Sequence, residues 1–348
     1  MKRLAMTGRN LIEVIDFEPG KLDDNKVRVK TLYASGKHGT AVALLDSPNF
    51  KNSRFDQEMR IFMNEEVESS LEPSRNNPMN MGTTGVGIVE KVGKNVSKWK
   101  PGDEVFGLMD IREINDVDEE WLWSTEGIDN YTALCIEPAY VAFHSLRESN
   151  VRFGDRVAII GLGAIGLIAV KMAVMSGAEQ VFAVDKIQKR LELAKDFGAD
   201  YILNYETEED PAVRVHELSE NKGADVSIEV AGSYQALGTA IRSTRVGGTI
   251  CSSGFYQGEA NSLWLGREWH HNRLTMITPH GCGWGHLPRD YPRWTKHRAY
   301  DAIVSLMKRK GLDVGEIINA EITIEQGAEI YKQIKNNPEN IVKYVVRF

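Results

Sequence analysis

Six consecutive residues, Gly161-Leu162-Gly163-Ala164-Ile165-Gly166, carry the glycine spacing of a phosphate-binding turn. Glycine-rich runs are common, so the surroundings decide what this one means. The apolar run 157–160 precedes it directly, and a stretch of helical character follows to about residue 176. Asp185 ends the next apolar run, 19 positions after Gly166. Strand, glycine turn, helix and a delayed acid are the context a dinucleotide site requires. Gly161 allows a sharp turn, Gly163 lets the backbone approach a pyrophosphate, and Gly166 lets the helix pack closely on the strand. The phosphates then meet the free N–H groups and the positive end of the helix. Asp185 can accept hydrogen bonds from the adenosine ribose hydroxyls, and its charge repels a 2′-phosphate. NAD is therefore expected rather than NADP, with Lys186, Lys189 and Arg190 pulling the other way. Arg190, Ala231, Gly254 and Phe255 are counted among the coenzyme contacts. The alternative is a glycine turn in a βαβ unit that binds nothing.

The elements that must hold this turn are legible on both sides of it. Residues 1–145 read as mostly strand and turn, for example 26–33 and 85–92, rich in β-branched residues and bounded by Gly, Asn and Pro. The polar segment 46–80 fits neither a strand nor an amphipathic helix and is read as a surface excursion. From Arg156 short apolar strands alternate with helical stretches: strands at 157–161, 181–185, 225–232, 248–255 and 274–280. Continuous apolar strands between helices mark a parallel sheet covered on both faces. The alternation stops near Gly281. Beyond it the sequence predicts a helix around 299–310, another opening at Thr323 with Gln326 completing a capping box, and a final strand.

Bulk properties narrow the classes further. A chain of 348 residues with 42% hydrophobic and 26% charged residues is ordinary globular material for two domains. The net charge is −7 and no Lys/Arg-rich run occurs, which argues against nucleic acid and anionic membranes as partners. No signal-peptide pattern and no apolar run of membrane-spanning length are found. The cysteines, Cys135, Cys251 and Cys282, are scattered and odd in number, which points to a reducing, cytoplasmic setting.

With the coenzyme unit in place, nearly the whole chain resembles the medium-chain dehydrogenase/reductase superfamily, whose best-known members are zinc alcohol and polyol dehydrogenases. The segments carrying the likeness are 34–45 (ASGKHGTAVALL), 82–107 (GTTGVGIVEKVGKNVSKWKPGDEVFG), 137–145 (EPAYVAFHS) and 154–173 (GDRVAIIGLGAIGLIAVKMA). The resemblance implies an α/β fold. A GroES-like β-rich catalytic domain is formed by 1–145 and 281–348, and a Rossmann doubly wound parallel sheet by 146–280. It also implies a homodimer or homotetramer. The departures concern metal. Where zinc members carry Cys-Gly-Thr-Asp, this chain has His38-Gly39-Thr40-Ala41, and where they carry Gly-His-Glu it has Gly82-Thr83-Thr84. Only Glu137 still looks like a family zinc-ligand position. Catalytic zinc normally has three good protein ligands, and threonine hydroxyls are poor ones. Ala41 replaces an acid that supports the ligands. No cysteine lies before residue 135, so the structural-zinc lobe is missing too. No metal is expected; His38 and Glu137 holding one together with water is the alternative. A zinc-free subgroup, mostly associated with sugar or inositol catabolism, is similar in 254–260 (GFYQGEA) and 265–275 (LGREWHHNRLT).

Without a Lewis acid, a positioned base must take the alcohol proton. His38 replaces a metal ligand and has a suitable unperturbed pKa, so it is the first candidate; a solvent-facing turn histidine is the alternative. Thr40 matches the family's hydroxyl relay. Glu137 is a candidate to orient His38 or accept the proton, and Lys37 to polarise an oxygen. His270 and Trp284 are candidate substrate contacts. In a strand His270 and His271 would face opposite sides, so one at most reaches a cleft. His144 is read as a packing histidine. The aromatic-rich segment 284–294 fits either a sugar-binding wall or a subunit contact.

The expected activity is hydride transfer between NAD and a secondary alcohol of a sugar, glycoside or cyclitol, without zinc. A zinc-free quinone or enoyl reductase and a non-catalytic NAD-binding sensor are the alternatives. If His38 is the base, His38→Ala lowers turnover by roughly 10² while NAD affinity stays intact; an unchanged rate removes it from the mechanism.

Overall fold

The computed structural model describes residues 1–8, 10–37, 54–56, 58–63, 73–256, 258–279, 291–309 and 311–348. His38, Thr40 and Trp284 lie outside the described residues. Two compact units divide the chain: Met1–Glu126 with Ala320–Phe348, and Gly127–Asn319.

The first unit is β-rich. Its strands are β1 (Lys2–Gly8), β2 (Leu11–Asp16), β3 (Lys26–Ser35), β4 (Arg54–Asp56), β5 (Ile61–Met63), β6 (Met79–Asn80), β7 (Thr84–Val92), β8 (Glu104–Gly107), β9 (Ile114–Asp118) and β10 (Leu122–Ser124). The main sheet runs β10-β8-β7-β3, with β9 also pairing with β3, and continues into two strands from the chain's end, β18 (Lys343–Arg347) and β17 (Ile318–Thr323). The alternation in β3 explains its place. Val27, Val29 and Thr31 are buried while Lys30, on the other face of the strand, is exposed. Arg28 forks onto the carboxylate of Asp116 directly across the β3–β9 pair, at 2.7 and 2.8 Å. Within segment 46–80, the described part contains the β4–β5 hairpin and β6. The capping box at the chain's end forms as its sequence predicts: Thr323 N–H donates to Gln326 Oε1 at 2.9 Å.

In the second unit the strands are β11 (Arg156–Ile160), β12 (Gln180–Asp185), β13 (Tyr201–Asn204), β14 (Ala224–Glu229), β15 (Thr244–Ser252) and β16 (Thr275–Ile277). They form one parallel sheet in the order β13-β12-β11-β14-β15-β16. This is the doubly wound order, with the reversal at β11. Val157, Ala158, Ile159 and Ile160 are all fully buried, which is why the strand reads as an unbroken apolar run. The crossover helices start where their caps dictate. Asp210 accepts from Ala212 N–H at 3.0 Å and Pro211 occupies the first helical position. Ser233 caps Tyr234–Ser243 by accepting from Ala236 N–H at 3.2 Å.

The unit also takes in helices on either side of the sheet. The helix Ile136–Glu148 packs with Ala164–Met175 and with Lys296–Arg309, and a Tyr140–Tyr300 stack at 4.6 Å ties it to the latter. Trp294, from the aromatic-rich segment, lies against Phe143, and the guanidinium groups of Arg147 and Arg298 lie 3.9 and 4.4 Å from its ring centroid. It is therefore packed within its own unit. His270 and His271 lie in a short helix, Glu268–His271, not a strand. Both are exposed, and their rings meet edge-on at 5.6 Å. The strand that follows starts at Thr275.

Phe182 is fully buried in β12 and stacks on Tyr201 of β13 at 5.2 Å. Phe182→Ala should lower unfolding free energy by about 3–5 kcal/mol in a denaturant titration. A loss under about 1 kcal/mol would mean that this core is not packed as described.

Candidate active site

The glycine turn is held from three directions. Gly161 has φ +98°, and a Cβ there would lie 2.7 Å from the backbone nitrogen of Ala231. A Cβ on Gly166 would lie 1.8 Å from the Gly161 carbonyl oxygen. No side chain fits either position, whatever the ligand. Gly163 is different: a Cβ there would meet nothing within 4 Å. The front of the turn is therefore open, and glycine keeps it open for close backbone approach. Gly163 is the N-cap of the helix Ala164–Met175 and offers no capping side chain. The first-turn N–H groups there, from Ala164, Ile165 and Gly166, lack helical acceptors. Such an end suits a diphosphate.

Asp185 does more than await a ribose. Its Oδ2 accepts from Leu162 N–H at 2.6 Å and its Oδ1 from Ile187 N–H at 2.9 Å, in a side chain only 8% exposed. Each oxygen keeps lone-pair capacity, since a carboxylate accepts about four bonds. The same carboxylate thus fixes the turn and the start of the segment after β12. Arg190 is half-buried on the helix Gln188–Asp196, which follows β12. Ala231 and Phe255 are exposed and Gly254 is half-buried, in the loops after β14 and β15. Turn, acid and loops all lie at the carboxyl ends of parallel strands, where ligands of open α/β sheets bind.

Sequence motifs missed a carboxylate at this edge. Glu229, the last residue of β14, is fully buried. Burial pushes its carboxyl above the ordinary value, against hydrogen bonds from Tyr256 and from the N–H groups of Gly232, Ala231 and Ser233. Burial and the adjacent Glu229 likewise push the Tyr256 phenol well up. The pairing of 229 with 256 has no signal in the spacing.

The other candidates divide between the units. In the first, Lys37 is half-buried just past β3. Pairing of β3 with β7 sets Ser35 opposite Thr84. Thr83 N–H donates to the Ser35 carbonyl at 2.9 Å, and Thr83 Oγ1 approaches the same oxygen at 3.5 Å. Thr84 is fully buried. Lys343, which sequence reading passed over, is 2% exposed and donates from Nζ to the Gly36 carbonyl at 3.4 Å. In the second unit Glu137 is half-buried in the first turn of Ile136–Glu148. His144, on the same helix, is buried, stacks on Tyr140 and pairs with Glu148 at 3.2 Å, as its packing role requires. Among the described residues no group of three His, Cys, Asp or Glu side chains is placed to hold a metal.

Comparison with known proteins gives these features a family. The family model described as "Zinc-binding dehydrogenase" matches residues 164–297, and "Alcohol dehydrogenase GroES-like domain" matches 55–120. The chain belongs to the medium-chain dehydrogenase/reductase superfamily and is an enzyme of the dehydrogenase class. Its similarity to D-guloside 3-dehydrogenase of Escherichia coli K12 is 31% identity, covering 100% of both chains. Sorbitol dehydrogenase 1 of Saccharomyces cerevisiae is 35% identical over 39% of this chain and 40% of its own. The solved 2R,3R-butanediol dehydrogenase from Bacillus subtilis superposes with a TM-score of 0.77 at 23% identity, covering 100% of this chain and 99% of that one. That last likeness is one of fold. The fold is thus a GroES-like β-rich unit with a Rossmann sheet.

Asp185→Asn replaces one acceptor oxygen with an N–H₂ facing a backbone donor. It should weaken NAD binding about 10- to 100-fold by calorimetry, the size of one lost charge-assisted hydrogen bond. Affinity within about twofold of wild type would show that Asp185 does not support the coenzyme site.

Proposed function

We propose that the protein is a zinc-independent, NAD-dependent oxidoreductase acting on a secondary alcohol of a sugar, glycoside or cyclitol. The observation that carries the coenzyme is Asp185, a buried carboxylate bonded to the phosphate-binding turn and carrying free lone pairs where NADP would bring a phosphate. The sugar class is supported by full-length similarity to D-guloside 3-dehydrogenase. Coenzyme binding is assigned to residues 146–280, and catalysis to 1–145 with 281–348. The enzyme works in the cytoplasm as a homodimer or homotetramer.

The donor set does not fit a catalytic zinc. Thr83 and Thr84 stand where two family ligand groups would be, and the Thr83 hydroxyl faces a backbone carbonyl. NAD, when bound, supplies the acceptor for the hydride that leaves the carbinol carbon. The chain's own task is then to bind the sugar and remove the hydroxyl proton. In this reading His38 takes the proton, Thr40 relays it, and Glu137 orients His38 or receives the proton. Lys37 polarises the substrate oxygen, and His270 and Trp284 contact the sugar. An alcohol pKa near that of water makes a positioned base worth roughly 10²–10⁴ in rate.

Incubation with NAD and a panel of glycosides, polyols and cyclitols should produce the absorbance of reduced nicotinamide, with activity unaffected by a strong chelator. Stoichiometric zinc together with loss of activity on chelation would overturn the metal-free mechanism. Consumption of NADPH with enones, and none of NAD with alcohols, would overturn the reaction class.

A further inference from the structure

Glu229 joins two loops at the carboxyl edge of the sheet. Its backbone carbonyl accepts from Ser253 N–H at 2.9 Å and Gly254 N–H at 3.1 Å, both in the loop after β15. Its side chain serves both loops. Oε1 accepts from Gly232 N–H at 2.7 Å, in the loop after β14, while Oε2 accepts from the hydroxyl of Tyr256, in the loop after β15. Ser252 Oγ donates in turn to the Tyr256 oxygen at 3.0 Å. The loops touch backbone to backbone. A Cβ on Gly254 would lie 2.4 Å from Gly232 Cα and 2.5 Å from Glu229 Oε2. Gly232 has φ +76°, and a Cβ there would lie 3.1 Å from the Phe255 nitrogen.

Four further contacts hold this pair of loops in place. Val230 N–H donates to the Ile160 carbonyl at 2.9 Å, tying the first loop to the strand that enters the glycine turn. Ser253 Oγ lies 2.7 Å from Ser145 Oγ on the helix Ile136–Glu148, which also carries Glu137. Tyr234 stacks on Tyr256 at 5.2 Å, and its hydroxyl donates to the Gly258 carbonyl at 2.9 Å.

Strand order says which half of the coenzyme these loops face. Asp185 ends β12, on one side of β11. The loops after β14 and β15 lie on the other side. A doubly wound sheet divides a dinucleotide between two mononucleotide halves at that reversal. With adenosine on the Asp185 side, the loops carrying Ala231, Gly254 and Phe255 face the nicotinamide half. An uncompensated buried carboxylate is expensive, so its hydrogen bonds set the loop geometry strongly.

We propose that Glu229 and Tyr256 are positioning residues for the nicotinamide half of the coenzyme, locking the loops after β14 and β15 into one preformed surface. This rests on the reading of the edge as an NAD site. Loss of such preorganisation weakens the ligand that needs the surface and spares one that does not.

The test compares NADH with AMP, which reaches only the adenosine half, by calorimetry on wild type, Tyr256→Phe and Glu229→Gln. Tyr256→Phe removes one hydroxyl and keeps the ring, so it covers the case in which the Glu229 variant fails to fold. Both variants should bind NADH about tenfold more weakly and AMP within about twofold of wild type. Wild-type binding of NADH with unchanged NADH affinity in the variants overturns the proposal. Equal loss of AMP and NADH affinity also overturns it, since it reports general loosening. Failure of wild type itself to bind NADH overturns the coenzyme reading, and the positioning role falls with it.

Discussion

The hydrogen bond from Leu162 N–H to the Asp185 carboxylate joins the two features that define the carboxyl edge of the parallel sheet. One is a turn with no room for side chains at Gly161 and Gly166. The other is an acid at the end of the neighbouring strand. A buried carboxylate must be satisfied, and the turn's backbone donors satisfy it. The acid therefore has a structural duty that precedes any ligand. The parallel pairing of β11 with β12 brings the two together, because Ile160 lies opposite Val184 and the next residues are the turn and the acid.

Across β11 the arrangement is echoed. Glu229 ends β14 as Asp185 ends β12, and it too is buried and accepts backbone N–H groups. The partners differ. Asp185 binds the turn after β11, whereas Glu229 binds its own loop and, through Tyr256, the loop after β15. Carboxylates at strand ends thus flank the turn on both sides. Each trades desolvation for hydrogen bonds that fix irregular backbone.

The β-rich unit follows a different logic. Its candidate segments come together through β3 pairing with β7 and β18, so residues about 50 and 300 positions apart become neighbours. Ser35 donates to the Tyr344 carbonyl at 2.7 Å, and Gly36 has no space for a Cβ against the Tyr344 hydroxyl. The approach to Lys37 is therefore shaped by the chain's last strand. Thr83 and Thr84 are absorbed into this packing, one facing a carbonyl and the other fully buried.

Local sequence determined much of this protein. Runs such as Val157–Ile160 and the turn Gly161–Gly166 are short-range patterns whose period and spacing state their own conformation, and Asp185 follows at a distance set by one helix. The capping box at Thr323 and Gln326 is equally local. Helix Glu268–His271 is too short to carry a detectable period. What only the tertiary structure decided are the contacts between segments far apart in the chain. Glu229 meets Tyr256 27 residues away, Lys343 meets Gly36 307 residues away, and Trp294 is gripped by Arg147 and Arg298. Burial and hydrogen-bond satisfaction set those pairings, and both are properties of the assembled fold. A glutamate at a strand end looks the same in the sequence whether it faces water or closes two loops; only its neighbours in space distinguish the two.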